Sequence, residues 1–172
     1  MERSTCKGLE MGKAEEQIHL IVDGFNVVHA WGLVKKRSGD WINEIVRTLQ
    51  EELKEIHDEK GWRVTIAIDG KGREIDRLHP FGDDSFELLY SPSSLTADAV
   101  IEQMVSGDAR PELIRVGTED RAVLHSIEAG GAEAISPAAL KDEVLAARRL
   151  KRSRIKNSFG DSKNTFTNQI PL

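Results

Sequence analysis

Three short β-branched runs in this chain each end in an acidic turn. Ile18–Val22 runs into Asp23-Gly24-Phe25-Asn26, Val64–Ile68 into Asp69-Gly70, and Leu113–Val116 into Gly117-Thr118-Glu119-Asp120. Stretches whose apolar residues recur at helical spacing separate them. Strands alternating with helices imply parallel pairing and right-handed crossovers. In an open parallel sheet the carboxyl ends of the strands form one edge of the crevice where ligands bind. The three acidic turns should therefore meet at one rim. A carboxylate cluster repels itself unless a cation neutralises it, and hard oxygen donors favour Mg²⁺ or Mn²⁺. The pattern points to metal-assisted phosphoryl chemistry.

At 172 residues the chain suits one domain with a real core and is short for two. Its apolar fraction of 39% and charged fraction of 31% are those of an ordinary water-soluble protein. The longest apolar runs are about five residues, far short of a membrane span, so no membrane partner is expected. Residues 1–17 lack the apolar segment of a secretory signal and read as a flexible extension. The single cysteine, Cys6, builds neither a disulfide framework nor a zinc cluster, so the expected compartment is cytoplasmic. The net charge of −5 alone argues against nucleic acid. The average hides a segregation, because Arg148, Arg149, Lys151, Arg152, Arg154 and Lys156 lie together near the C-terminus. An acidic site with a separate basic surface suits a polyanionic substrate.

Along the chain, residues 18–22 read as a buried strand, followed by a loop or short helical turn over Val27–Trp31. Trp41, Ile42, Ile45, Val46, Leu49, Leu53 and Ile56 then mark an amphipathic helix, with Asp40 as its N-cap and Gly61 as its stop. A second strand covers residues 63–68, and Gly70 to Gly82 reads as a loop. Phe86–Tyr90 forms a third strand, broken by Ser91-Pro92-Ser93-Ser94. Thr96 caps a helix to about Val105, and Leu113–Val116 is a fourth strand. Thr118 or Glu119 opens the next helix, Ala134-Ile135 makes a short fifth strand, and Pro137 starts a last helix ending in the basic cluster. The expected organisation is an extension over 1–17, a three-layer α/β/α domain with a mostly parallel sheet over 18–156, and a polar, disordered tail over 157–172.

Each acidic motif has an ordinary explanation. Asp23-Gly24 and Asp69-Gly70 are common turn pairs. Asp98, in the first turn of its helix, complements the macrodipole, and Glu102 one turn on could simply face solvent. However, two like charges four residues apart cost stability by themselves, a cost that a bound cation removes. Thr118 before an acidic first turn is a normal cap. The histidines lack metal-ligand spacing, and Trp31, Trp41 and Trp62 read as core or edge anchors. Neither a Walker-type loop nor a dinucleotide fingerprint is present in the sequence.

The order of the motifs is more informative than any one of them. Val-Asp-Gly-Phe-Asn, then Ile-Asp-Gly, then Thr-Ala-Asp with Ile-Glu, then Gly-Thr-Glu-Asp-Arg resembles the NYN domain, and more narrowly its YacP-like branch, over about residues 18–155. The continuation Val27-Val28-His29-Ala30-Trp31 is similar to that branch as well. The resemblance implies a PIN-like fold, Mg²⁺ or Mn²⁺, and endonucleolytic cleavage of RNA. It implies that Asp23, Asp98 and Asp120 are the acidic metal-binding positions. Asn26 matches the first motif's asparagine, Asp69 the acid after the second strand, and Thr118 the threonine of the fourth motif. Some members associate with the translation machinery, which extends the implied partners from RNA to the ribosome. Glu119 departs from the small or amide-bearing residue of relatives and adds a negative charge.

The expected reaction is hydrolysis of an RNA phosphodiester. Asp23, Asp98 and Asp120 would hold the metal, Asp69 and Glu102 would complete the acidic ring, and Asn26 and Thr118 would orient ligands or touch phosphate. The basic residues from Arg148 to Lys156 would attract the RNA backbone, although a solvated helix end explains them equally well. Two alternatives stand beside this reading: a non-catalytic RNA- or ribosome-binding module, and a phosphohydrolase of small esters.

Overall fold

A computed structural model of the chain describes residues 16–34 and 41–161. Most of the expected N-terminal extension with Cys6, the Asp40 cap and the end of the expected tail lie outside the described residues. Strand β1 (His19–Asp23) leads into helix α1 (Gly24–Ala30), and α2 (Trp41–Lys60) precedes β2 (Arg63–Gly72). Then follow β3 (Asp76–Leu78), β4 (Phe86–Pro92), α3 (Ala97–Gly107), β5 (Ile114–Gly117), α4 (Arg121–Ala129), β6 (Glu133–Ile135) and α5 (Pro137–Asp161).

The strands form one six-stranded sheet in the order β3-β4-β2-β1-β5-β6. All pairings are parallel except that of β3 with β4. Alternation along β1 divides the core. Leu20 and Val22 pack with Val27, Leu49, Leu53, Leu140 and Val144 on the side of α1, α2 and α5. Ile21 packs with Ala97, Ile101, Val123 and Ile127 on the side of α3 and α4. The result is the expected three-layer α/β/α arrangement. Both faces of the sheet are covered, which is why β1 reads as a continuous apolar run.

The connections explain where a site can form. From β1 the chain crosses over one face to β2, and from β4 it crosses over the other face to β5, on the far side of β1. The direction of winding therefore reverses between β1 and β5, and crevices open at such a switch point at the carboxyl ends of the strands.

Several local expectations are corrected. Val27–Trp31, expected as a loop or short helical turn, takes the helical alternative mostly as part of α1, whose start the Asp23 side chain caps. The span from Gly70 to Gly82 is not all loop: β2 continues through Gly72 and β3 forms at Asp76–Leu78. Strand β4 passes through Ser91 to Pro92. Asp120, rather than Thr118 or Glu119, caps α4, accepting from the Ala122 and Val123 N–H groups. Helix α5 continues beyond Lys156 to Asp161, through residues expected to begin the tail. The basic cluster thus sits inside this helix rather than at its end.

Candidate active site

Register brings the acidic turns together. Asp23 pairs with Ala67 on β2, so Asp69 lies just beyond on the neighbouring strand. Val22 pairs with Gly117, so Asp23 stands beside Thr118. Thr118 Oγ1 donates to Asp23 Oδ2 (3.3 Å) and accepts from the Asp120 N–H (3.1 Å). The Asn26 N–H donates to Asp23 Oδ1 (3.2 Å), and Asn26 Oδ1 accepts from the Glu119 N–H (2.8 Å). Asn26 thereby ties α1 to the loop that carries Asp120. Asp69 Oδ1 accepts from the Ala97 N–H (2.8 Å), which fixes the start of α3 and so the position of Asp98.

The electrostatics follow from this geometry. Asp23 is 7% exposed, and burial, assisted by the nearby Asp98 charge, pushes its pKa up to about 6. Asp98 is raised too, by burial first and then by the charges of Asp120, Asp69 and Glu102. The two carboxyl groups lie within hydrogen-bonding reach, with the proton favoured on Asp23. Two carboxylates that share a proton crowd more negative charge than the site tolerates, and a hard cation can take the proton's place.

The five acidic residues named from the sequence therefore occupy one rim. Asp23 is buried, Asp98 and Glu102 are half-buried, and Asp69 and Asp120 are exposed. Their all-oxygen donor set fits Mg²⁺ or Mn²⁺. Among the described residues, no three acidic, histidine or cysteine side chains stand close enough together to hold a metal ion. Asp98 faces Asp23 and also feels the charges of Asp120, Asp69 and Glu102.

The basic residues lie elsewhere. Helix α5 starts beside the carboxyl end of β6 and runs 25 residues, about 37 Å, toward the opposite edge of the sheet. Arg148 and Lys141 pair with Glu52 (2.9 and 3.1 Å), Lys151 with Glu55 (3.0 Å), and Arg154 with Glu59 (3.2 Å), all on α2. Arg149, Arg152 and Lys156 are exposed on the outer side of the helix. Three of the six basic residues thus staple α5 to α2, and the whole cluster lies far from the acidic rim.

A second polar cluster had no motif to announce it. Glu87, 2% exposed on β4, accepts from Thr65 Oγ1 (2.7 Å), Arg77 (2.7 Å) and Arg63 (3.2 Å). His19 Nε2 lies 2.8 Å from Thr65 Oγ1. An acid inside the apolar run Phe86-Glu87-Leu88-Leu89 was its only signal. The tryptophans behave as anchors: Trp31 Nε1 donates to the Pro137 carbonyl (2.7 Å), and Trp41 and Trp62 pack against the core.

The model of the YacP-like NYN domain matches residues 20–171. The chain belongs to this family. Among solved structures it is similar to the crystal structure of Rae1 (YacP) from Bacillus subtilis, at 25% identity and a TM-score of 0.67, covering 84% of this chain and 83% of that one. It is similar also to a tryptophan-to-leucine mutant of that protein, at 23% identity and a TM-score of 0.65, covering 88% and 87%. No curated protein matches. Membership in the YacP-like NYN domain family supports a nuclease-like, RNA-related function, and the fold is the PIN-like one expected of it. No helix among the described residues is long and apolar enough to cross a membrane.

Proposed function

We propose that this YacP-like NYN protein is a Mg²⁺- or Mn²⁺-dependent endoribonuclease that works in the cytoplasm, on free or ribosome-associated RNA. The observation that carries this reading is the Asp23–Asp98 pair. These carboxyl groups come from different elements, meet at the topological switch point, and sit close enough to share a proton.

Asp23, Asp98 and Asp120 would hold the ion, with Asp69 and Glu102 around it. When bound, the ion supplies Lewis-acid stabilisation of the phosphate and a more acidic water. The chain's own groups prepare the site. Thr118 and the Asn26 N–H fix both oxygens of Asp23. Asp120 commits Oδ1 to capping α4, and no described residue donates a hydrogen bond to its Oδ2. Asn26 holds the Glu119 backbone and keeps the β5–α4 loop against α1. Glu119 and Glu102 add charge that repels a phosphodiester unless a cation is present, so substrate binding and metal loading should be coupled. Arg149, Arg152 and Lys156, remote from the rim, would hold a distal part of the RNA or a ribosomal surface, with Arg148, Lys151 and Arg154 fixing the helix that carries them.

The test is incubation of structured and unstructured RNA with purified protein in Mn²⁺ or in chelator. Internal cuts that need the metal and disappear in Asp98→Asn support the reading. Asp98 caps no described helix, so this variant leaves the scaffold intact. RNA or ribosome binding without cuts, unchanged by the substitution, would favour a non-catalytic module. The separation of the basic helix from the rim is the observation on that side. Turnover of small phosphate esters but not RNA would point instead to the third alternative.

A further inference from the structure

Beside the acidic cluster lies an open cleft of about 290 Å³, lined by Asp69, Gly70 and the segment from Pro92 to Thr96. Neither Asp23, Asp98 nor Asp120 lines it. Its size is just below the range of about 300–1,000 Å³ usual for small-ligand clefts. Its wall presents the exposed hydroxyls of Ser93, Ser94 and Thr96 beside the half-buried Leu95. A mix of hydroxyls and one apolar side chain suits a sugar and its base better than a metal ion.

The wall is rigid. A Cβ on Gly70 would lie 2.2 Å from the Ser91 carbonyl oxygen, so β2 approaches β4 more closely there than any side chain allows. The Gly70 N–H donates to Ser91 Oγ (3.3 Å), and the Ser93 N–H to the Gly72 carbonyl (2.8 Å). Asp69 is held as well, because Ala97 occupies its Oδ1 at 2.8 Å. No hydrogen bond to a described residue occupies Asp69 Oδ2. An exposed, oriented carboxylate oxygen at the mouth of a sugar-sized cleft is an acceptor for a hydroxyl donor.

We propose that this cleft seats the ribose of a nucleotide next to the scissile phosphate, and that Asp69 accepts the hydrogen bond of its 2′-hydroxyl. Asp69 is then a specificity residue that distinguishes RNA from DNA, rather than a metal ligand. A 2′-hydroxyl is the group by which a protein tells the two apart. A site built around a hydroxyl discriminates strongly against the analogue that lacks it. The inference rests on the nuclease reading for its substrate, but its test does not depend on turnover.

The experiment is fluorescence anisotropy with a short RNA and the DNA of the same sequence, in Ca²⁺, using the full chain. RNA should bind about tenfold more tightly than DNA, the ratio expected for one hydrogen bond to a carboxylate. Asp69→Ala should bring the ratio within about twofold by weakening RNA binding alone. Asp69→Asn retains an acceptor for Ala97 and should keep an intermediate preference. Ser94→Phe, which fills the cleft from an exposed position, should weaken RNA binding without altering Asp69. Equal loss of RNA and DNA in Asp69→Ala, an unchanged ratio, or no preference in the parent protein would each overturn the assignment. Metal-dependent cuts with no sugar preference would sink the cleft and leave the nuclease. A preference for RNA without cuts would keep the cleft and sink the nuclease.

Discussion

Thr118 and Asp23 are 95 residues apart in sequence and joined by a 3.3 Å hydrogen bond at the reversal point of the sheet. The threonine donates to the carboxylate and accepts from the Asp120 backbone, so one hydroxyl sets the spacing between two acidic residues. Thr118→Val keeps the shape and removes both interactions. Loss of a hydrogen bond to a buried charged group should cost about 1.5–3 kcal/mol of stability. Cleavage should fall about tenfold to a hundredfold, the scale of a mispositioned catalytic group. Denaturant melts and RNA cleavage rates on the same preparation check both.

Asp23 carries a pH signature of definite sign. Its pKa in the folded chain, about 6, lies above the ordinary aspartate value of 3.8, so the native state binds more protons than the unfolded chain between those values. Stability should therefore fall as pH rises through this window. Asp23→Asn cannot ionise, and without divalent cations it should be more stable than the parent by about 1–3 kcal/mol at pH 7. The difference should vanish below pH ~4, where both states of the parent are protonated. With Mn²⁺ the gap should close, since only the parent gains stability from the ion, about 2.7 kcal/mol at a hundredfold excess over Kd. Thermal melts against pH, with and without Mn²⁺, would show the narrowing; equal stabilisation of parent and variant by Mn²⁺ would mean that Asp23 takes no part in metal binding.

His19 has the opposite sign. Burial, and then the Arg63 charge, lower its pKa from 6.5 to about 4, so it is neutral in the fold where the unfolded chain would already be charged. Its share of stability is present above pH ~6.5 and lost as pH falls toward ~4, up to about 3 kcal/mol. His19→Gln should flatten the melting temperature over that interval while leaving RNA cleavage at neutral pH unchanged, because His19 lies at the edge of the sheet opposite the acidic rim.

Replacing Arg149, Arg152 and Lys156 together with alanine should reduce the slope of log binding constant against log salt by about 2, at ~0.7 per single-strand phosphate contact. Stability should change by less than about 1 kcal/mol, because these side chains face solvent. Glu52→Gln should do the reverse. Glu52 is mostly buried, and although burial alone would raise its pKa, Arg148 and Lys141 hold it below the usual range. Its loss should loosen α5 from α2 and lower the melting temperature, with no effect on the salt slope. Titrations at several salt concentrations, paired with melts, separate the two roles.

The parallel strands, their pairing sense and the shared rim were legible because they depend on local signals. Ile45, Leu49, Leu53 and Ile56 advertise the buried side of α2, and a strand that ends in an acid must present it at the carboxyl edge. Strand β3 was illegible because Asp76, Arg77 and Leu78 are all exposed and show no alternation. The cap of α4 was misplaced by one or two residues because Thr118 has the right chemistry but is drawn inward to Asp23. The direction of α5 was beyond local reading. Only the packing of Leu140, Val144 and Ala147 and the pairing with Glu52, Glu55 and Glu59 carry the basic residues to the far edge.

Three of the rim acids each hold a helix start: Asp23 that of α1, Asp120 that of α4, and Asp69, through Ala97, that of α3. Selection for folding would therefore preserve these side chains in a descendant that had given up chemistry altogether. Asp98 has no such second employment among the described contacts. Across a lineage it is the position free to drift first, and its loss would be the earliest sign that an enzyme had become a scaffold.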